Sequence, residues 1–310
     1  MDTHVDQFVS YLANEKSMAK NSLDAYRRDA NEFQRFLAER GIALIESVKK
    51  PDVNAYISKL KSEGRAGSTV NRKVAAIRAY SNYLYSNGVL NENPMIGVKS
   101  PKIERKKIEY LTIDEVEAIL NAPDKSLKGM RDKAMLELLY ATGIRVTEIT
   151  EMNIGDINFR IGFVTCNGDY GKARIIPMGR ICKEALESYI YDARPQLING
   201  GGRGLKLLTS SGQDTDTEIL FVNYFGEKLT RQGLWKIMKQ YASMAGINKK
   251  LTPQILRNSF AVHMVQNGAD LKSIQELMGH EDITTTQVYL GVTKNRIKEV
   301  YDRSHPRAKK

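Results

Sequence analysis

One proline-containing segment interrupts the helical pattern of the sequence and divides the chain in two. Residues 91–110 contain Pro94 and Pro101, which exclude a helix, within a cluster of lysines and arginines. On both sides of this segment, apolar residues recur at spacings of three and four, as in amphipathic helices. The 310 residues suffice for two domains of ordinary size. The predicted boundaries are 1–100 for a helical domain, 101–108 for an extended basic linker, 109–290 for a second domain and 291–310 for a tail.

The first domain is predicted to consist of four helices with basic faces. The second helix ends before Gly41, and the third begins near Pro51. The fourth is predicted to start at a Ser68 or Thr69 cap. Basic side chains are interspersed among the apolar ones, so the domain is predicted to rest on DNA. The side chains predicted to bind it are Arg65, Arg72, Lys73 and Arg78.

The second domain is predicted to be mainly helical with one β element. A capping box, with Thr112 as N-cap and Glu115 three residues later, marks its first helix. The stretch GFVTCNGDYGKARIIPMG alternates as strands do, turns at Gly168 or Gly171, and returns. We therefore predict a mainly α fold with an α+β second domain and a β-hairpin that has a basic tip.

The charge distribution favours a polyanionic partner. The net charge is +11 and the isoelectric point is about 9.4. Residues 1–100 carry 15 Lys+Arg against 11 Asp+Glu, residues 101–110 carry 4 against 2, and residues 290–310 carry 7 against 2. Residues 111–289 are therefore neutral overall. An excess of positive charge in separate parts of the chain is expected if they clamp a long anion, although a solvated basic surface would look similar.

The remaining composition indicates a cytoplasmic protein. Cys166 and Cys182 are too few for a disulfide framework, which points to a reducing compartment and structural roles. Residues 1–10 lack the pattern of a secretory signal, and no apolar run approaches membrane-spanning length. No membrane partner is predicted.

Several residues have simple structural explanations when taken singly. Arg145 follows a helix end and would interact with its dipole, and Arg257 would form a salt bridge. Lys172 would be a solvated hairpin tip, His280 a turn residue, and Tyr289 a core aromatic with a bonded hydroxyl.

Together these residue types indicate phosphodiester chemistry. Cutting a phosphodiester adds negative charge to the non-bridging oxygens, and two planar guanidiniums are well shaped to hold it. A tyrosine hydroxyl can attack phosphorus and conserve the bond energy in a covalent phosphotyrosine. Histidine can orient the phosphate or assist proton transfer, and lysine can protonate the leaving 5′ oxygen. This chemistry requires no metal or other cofactor, and the sequence has no Asp/Glu cluster with metal-ligand spacing.

The same motifs resemble those of the tyrosine recombinase (phage integrase) family, most closely its Xer branch. The matching stretches include RDKAMLELLYATGIRVTEI, LTPQILRNSFAVHMVQNGADLKSIQELMGHEDITTTQVYLGV and the ending SHPRA, in order along nearly the whole chain. The resemblance implies that Arg145 and Arg257 are the two catalytic arginines, His280 contacts the scissile phosphate, and Tyr289 is the nucleophile. Tyr301 lies past the motif and is a poor rival.

Two motifs depart from the family pattern. Gln254 stands three residues before the second arginine, where the family usually has His, and Asn258 follows that arginine. Gln can donate a hydrogen bond to phosphate but cannot exchange protons. In the hairpin, Asp169 aligns with the usual catalytic lysine. Lys172 aligns with a second lysine and is the candidate replacement, with Arg174 as a predicted DNA contact.

The resemblance implies a two-domain clamp around duplex DNA and sequential strand exchange through 3′-phosphotyrosyl intermediates. It implies a homotetramer on two paired sites, or assembly with a second recombinase, with the tail docking on a neighbouring protomer. Two alternatives stay open at this point: a DNA-binding protein with impaired catalysis, because of Asp169 and Gln254, and a topoisomerase-like enzyme that reseals one strand. The resemblance does not distinguish chromosome-dimer resolution from mobile-element integration, and it does not give the target sequence.

Overall fold

The computed structural model describes residues 2–101, 107–168, 173–199, 218–249, 251–280 and 282–290. Contacts divide the chain into two compact units, residues 1–106 and 107–310. Both units are mainly helical, and the second contains a sheet of three short strands. The predicted mainly α fold class with a small β element is therefore confirmed. None of the described helices is both long enough and apolar enough to cross a membrane.

In the described part of the first unit, four α-helices and a short 3-10 helix at Ile45–Ser47 pack around one apolar core. The bounds of the α-helices are α1 Asp2–Asn14, α2 Lys20–Glu39, α3 Lys50–Ser62 and α4 Gly67–Ser86. The predicted cap of α4 is wrong, because the backbone N–H of Val70 already bonds the Ala66 carbonyl, which places the N-cap at Ala66 and Ser68 inside the helix. The N-cap of α4 therefore lies two residues before the predicted Ser68 cap.

A buried group of charges joins α2 to α4. The Lys73 side chain is 6% exposed, and its ammonium lies 3.3 Å from an Asp29 oxygen and also bonds Glu32. Arg72 pairs with the same Asp29 but is nearly half exposed. Burial raises the pKa of Glu32, but the hydrogen bond and charge of Lys73 outweigh it, and the pKa lies below its ordinary value. Lys73 is thus neutralised within the unit, whereas Arg72 still presents its guanidinium to solvent.

The second unit is built on nine further described helices around a separate core. Their bounds are α5 Ile113–Asn121, α6 Leu127–Thr142, α7 Val146–Glu151, α8 Arg180–Ser188, α9 Arg194–Ile198, α10 Arg231–Met244, α11 Pro253–Gln266, α12 Leu271–Met278 and α13 Ile283–Gln287. The predicted capping box of α5 is confirmed: the Thr112 hydroxyl accepts from the Glu115 N–H, and the Glu115 carboxylate accepts from the Thr112 N–H.

Helix α6 is buried on nearly all sides and ends at Gly143 in the left-handed conformation, with φ of 57°. An added Cβ at Gly143 would lie 2.3 Å from the Phe260 ring. Glycine is therefore required here both for its backbone conformation and for the close approach of α11. The tight turn delivers Arg145 to the start of α7.

The sheet contains β1 Ile157–Asn158, β2 Phe163–Asn167 and β3 Ala173–Pro177, in that order and antiparallel. The β2–β3 pair confirms the predicted hairpin, with Val164 opposite Ile176 and both buried. Residues 169–172 lie outside the described residues, so the position of the turn stays a prediction.

Helices α8 and α9 were not identified from the sequence. They are joined by a π-helical turn, Tyr189–Ala193. The buried Tyr189 hydroxyl donates to the Leu220 carbonyl, and Arg194 donates to the Ile219 carbonyl. These bonds attach the chain after residue 218 to the core. Cys166 and Cys182 are buried free thiols whose pKa values burial raises to about 12, consistent with structural roles.

Candidate active site

The site is assembled from the start of α7, the first turns of α11, the turn after α12, and the end of the described chain. Arg145 lies immediately before α7, where its backbone N–H donates to the Glu148 carboxylate at 2.7 Å. Its guanidinium donates to the same carboxylate at 3.1 Å and to the Gly279 carbonyl at 2.6 Å. Its side chain is 33% exposed, so part of this guanidinium faces solvent.

Arg257 lies deeper than Arg145, in α11, and is 5% exposed. Its guanidinium donates to the carbonyls of Gly143 and Met278 and lies 3.1 Å from the His280 Nε2 atom. Burial, with the nearby positive charge of Arg145, lowers the pKa of Arg257 to about 10. The group remains charged at neutral pH, so its positive charge is held in place by backbone carbonyls.

Glu148 is the anion that holds the cationic groups together. Arg174, on β3, makes a two-point contact with Glu148 at 2.6 and 2.8 Å and donates to the Leu277 carbonyl at 2.8 Å. Burial raises the pKa of Glu148, but the bonds from Arg174 and the Arg145 backbone outweigh it and leave the pKa below its ordinary value. The side chain is 6% exposed. Glu148 therefore ties α7 to the hairpin and orients Arg145.

His280 follows Gly279, which ends α12 in the left-handed conformation with φ of 64°. Its Nδ1 atom lies 2.9 Å from the Thr286 hydroxyl, and Thr286 is fully buried. Because arginine has no acceptor, Nε2 accepts from Arg257, and Nδ1 carries the proton toward Thr286. Burial, together with the charges of Arg257 and Arg145, lowers the pKa of His280 to about 4. The imidazole is therefore neutral near pH 7.

Tyr289 is 3% exposed and packs in a small apolar cluster with residues of α11 and α12. Its backbone N–H donates to the Thr286 carbonyl at 3.1 Å, and its hydroxyl donates to the Asn258 side-chain oxygen at 3.2 Å. Burial raises the pKa of the phenol, and the charge of Arg257 acts in the opposite direction. The hydroxyl is thus protonated and bonded to a neutral acceptor.

Gln254 lies on the exposed first turn of α11, where its amide donates to Asn258 at 2.9 Å. Asn258 therefore bonds both the Gln254 amide and the Tyr289 hydroxyl, and it directly follows Arg257 in α11. Asp169 and Lys172 lie outside the described residues. Within the described ranges, no group of three or more His, Cys, Asp or Glu side chains is arranged to hold a metal ion.

Two contributions to the site were missed from the sequence. No role in the site was assigned to Thr286 from the sequence, but its hydroxyl lies 2.9 Å from His280 Nδ1. Asn258 was noted only as a departure from the family pattern, yet it bonds the Tyr289 hydroxyl. A signal for Asn258 exists in the sequence, because it stands four residues after Gln254 and so shares a helix face with it.

Comparison with known proteins matches both units to one family. The Phage integrase family model matches residues 109–296, and the phage integrase N-terminal SAM-like domain matches residues 5–88. A tyrosine recombinase XerD of Staphylococcus epidermidis is 39% identical over 309 residues, covering 99% of this chain and all of that protein. The XerD of Halalkalibacterium halodurans is 40% identical over 310 residues, covering 99% of each.

Solved structures share the fold. XerH recombinase bound to a palindromic difH substrate matches with a TM-score of 0.73 at 18% identity, covering 97% of this chain and 84% of that one. A lambda integrase dimer bound to a core site matches with a TM-score of 0.71 at 19% identity, covering 93% and 94%.

The fold and the full-length relatives define a two-domain recombinase of the integrase type. The chain belongs to the phage integrase family, and it is a tyrosine site-specific recombinase. The similarity gives no support to the alternative of a DNA-binding protein with impaired catalysis.

Proposed function

We propose that the protein cuts and rejoins duplex DNA through a covalent 3′-phosphotyrosyl intermediate, with Tyr289 as nucleophile. The observation that carries this assignment is the convergence of two guanidiniums, a neutral imidazole and a buried tyrosine from the start of α7, from α11, and from the segments after α12 and α13. The Tyr289 hydroxyl gives up its proton as its oxygen attacks phosphorus, the bond to the 5′ oxygen breaks, and the released 5′ oxygen takes up a proton, so charge and protons balance over the step. Rejoining reverses these steps with a new 5′ hydroxyl.

Arg145 and Arg257 hold the phosphate in this scheme. Both guanidiniums are already ordered by carbonyl or carboxylate acceptors before DNA binds, so little reorganisation is needed when charge develops on the non-bridging oxygens. Arg145 is the more exposed of the two. It is therefore the one that first meets an incoming phosphate.

His280 and Gln254 contribute in different ways. The neutral His280 imidazole can accept a proton at Nε2 once a phosphate replaces its contact with Arg257. Gln254 can only donate a hydrogen bond to phosphate. Lys172 is proposed as the acid that protonates the leaving 5′ oxygen, in place of the lysine usual at the position of Asp169.

Contacts with the DNA backbone are proposed for three arginines of the first unit. Arg65 and Arg72 are each about half exposed in their side chains, and Arg78 is partly buried and donates to the Val98 carbonyl. The burial of Lys73 supports a different role for it, as a partner of Asp29 that leaves Arg72 available. Arg174 is proposed to position Glu148 more than to contact DNA, because its guanidinium already makes the two-point contact.

Assembly is proposed to follow the solved relatives, among them a lambda integrase tetramer bound to a Holliday junction. Four copies, or copies of this chain with a second recombinase, would join two DNA sites in the cytoplasm. Recombination then requires the paired sites, which a topoisomerase that reseals one strand does not need. Chromosome-dimer resolution and mobile-element integration share this chemistry.

The test of the nucleophile uses a nicked suicide duplex that traps the covalent adduct. Tyr289→Phe removes only the hydroxyl, so DNA binding should persist while the adduct disappears. Tyr301→Phe is the matched control and should form adduct as the parent does. An adduct formed by the Tyr289→Phe protein would overturn the assignment.

A further inference from the structure

The Asn258 side chain bonds three groups and belongs to none of the steps assigned above. Its oxygen accepts from the Tyr289 hydroxyl at 3.2 Å and from the Gln254 amide at 2.9 Å. Its nitrogen donates to the Glu109 carbonyl at 3.0 Å. A polar side chain with three partners, one of them the nucleophile, is specifically arranged.

The orientation of the Asn258 amide follows from these partners. The Glu109 carbonyl can only accept, so the amide nitrogen must face it. The oxygen therefore faces Tyr289, and the phenol must donate. An acceptor of this kind stabilises the protonated phenol and offers nothing to a phenolate.

The direction of the bond also matters. Asn258 directly follows Arg257 on α11, and neighbouring residues of an α-helix project about 100° apart. The phenol oxygen is bonded to Asn258, whereas the guanidinium that would hold the phosphate is bonded to backbone carbonyls and His280. Tyr289 is also buried in its apolar cluster, so the resting position is supported by packing.

We propose that Asn258 is a positioning residue that restrains the nucleophile: its side-chain oxygen holds the protonated Tyr289 hydroxyl in a buried resting position, and cleavage requires this bond to break. This inference rests on the assignment of Tyr289 as the nucleophile. A restraint of this kind keeps the protein from attacking DNA until the bound substrate draws the tyrosine toward the phosphate.

Two substitutions of Asn258 have opposite expected effects on single-turnover formation of covalent adduct at saturating protein. Asn258→Ala removes the acceptor, and because a neutral hydrogen bond is worth a factor of roughly two to ten, adduct formation should accelerate by about that factor. Asn258→Asp provides a charged acceptor that binds the phenol more strongly and opposes its ionisation, so adduct formation should slow. Asn267→Ala, at the exposed C-cap of the same helix, should match the parent.

The opposite expected effects on the rate of adduct formation distinguish a restraining role of Asn258 from a purely structural role and from an aligning role. A residue needed only for folding would slow both variants, and a residue that aligns Tyr289 for attack would slow Asn258→Ala. Either result overturns the inference. The Tyr289→Phe control distinguishes these outcomes from a wrong nucleophile, because only a wrong nucleophile leaves adduct in that variant.

Asn258→Ala also removes the bond to the Glu109 carbonyl, so a second measurement follows the Tyr289 phenol directly. 3-Fluorotyrosine placed at position 289 allows the pKa of that phenol to be followed by fluorine NMR in the full chain without DNA. Compared with the parent, the pKa should fall in Asn258→Ala and rise in Asn258→Asp. If Asn258→Ala does not fold, the Asp variant decides: an unchanged pKa or an unslowed adduct rate overturns the inference.

Discussion

The Nε2 atom of His280 lies 3.1 Å from a guanidinium nitrogen of Arg257. This contact places an unprotonated imidazole nitrogen against a permanent positive charge. Burial is the largest cause of the lowered pKa of His280, about 4, and the charge of Arg257 adds to it. The same contact also fixes which nitrogen of the ring carries the proton, and that N–H faces the Thr286 hydroxyl.

Thr286→Val should slow adduct formation by about tenfold, because a buried imidazole N–H loses its acceptor while the side-chain volume is kept. Thr286→Ser should restore most of the rate by returning the hydroxyl. Single-turnover cleavage with parallel measurement of half-site affinity checks this expectation. Equal rates for the Val and Ser variants would show that the hydroxyl does not act on His280.

Substitution of Arg145 or Arg257, the two arginines proposed to hold the phosphate, by Ala should reduce cleavage far more than DNA binding. The loss of transition-state stabilisation should be on the order of 3 kcal/mol or more. Arg257→Ala should also lower thermal stability more than Arg145→Ala, because the carbonyls of Gly143 and Met278 would lose their buried donor. Equal losses of binding and cleavage would instead make both residues ordinary phosphate anchors.

Glu148→Gln should destabilise the fold by about 3 kcal/mol at neutral pH, since it leaves the largely buried Arg174 and the partly buried Arg145 without their anion. The folded pKa of Glu148 is below its ordinary value of 4.5. Its stabilisation is therefore fully present above pH 4.5 and lost as pH falls through the folded pKa. Urea unfolding of the parent and of Glu148→Gln, from neutral pH to below pH 4.5, measures this effect. The difference between their free energies of unfolding should narrow as the pH falls. Glu184→Gln, in the exposed pair with Arg180, should change little at any pH.

Lys172→Ala should slow cleavage strongly, because a positioned acid contributes about a hundredfold to ten-thousandfold. A DNA with a 5′-bridging phosphorothioate should restore much of the rate, since sulfur leaves without protonation. Asp169→Lys should raise cleavage of the normal substrate, and Gln254→His should add less. The hairpin assignment fails if Lys172→Ala cuts normal DNA as fast as the parent and Asp169→Lys brings no gain.

Deletion of residues 302–310 should leave binding of one protomer to a half-site nearly intact. Cooperative assembly on the full site and recombination should both weaken, because the family resemblance implies that the tail docks on a neighbour. Gel-shift titration and a two-site recombination assay check the two effects. Undiminished recombination would remove the reason for a docking tail.

The sequence predicted the parts of this protein that follow from local patterns. Helical periodicity, the Thr112–Glu115 capping box and the β2–β3 hairpin depend on neighbours in the chain, and all three are present. Contacts between residues distant in the sequence were harder to predict. The bond from Tyr289 to Asn258 spans 31 residues, and the contact of Arg174 with Glu148 joins a strand to a helix. Neither distance nor direction across the fold is encoded in a local spacing.

The segment that leads into the second unit is fastened to α11. The Glu109 carbonyl accepts from Asn258, and the Leu111 N–H donates to the Ser259 hydroxyl at 2.9 Å. Both bonds join residues 109–111 to α11 beside Arg257, and one of them is made by the same side chain that accepts from the Tyr289 hydroxyl. The start of the second unit and the tyrosine hydroxyl therefore share Asn258 as a common partner, so a displacement of either one is felt by the other through a single amide.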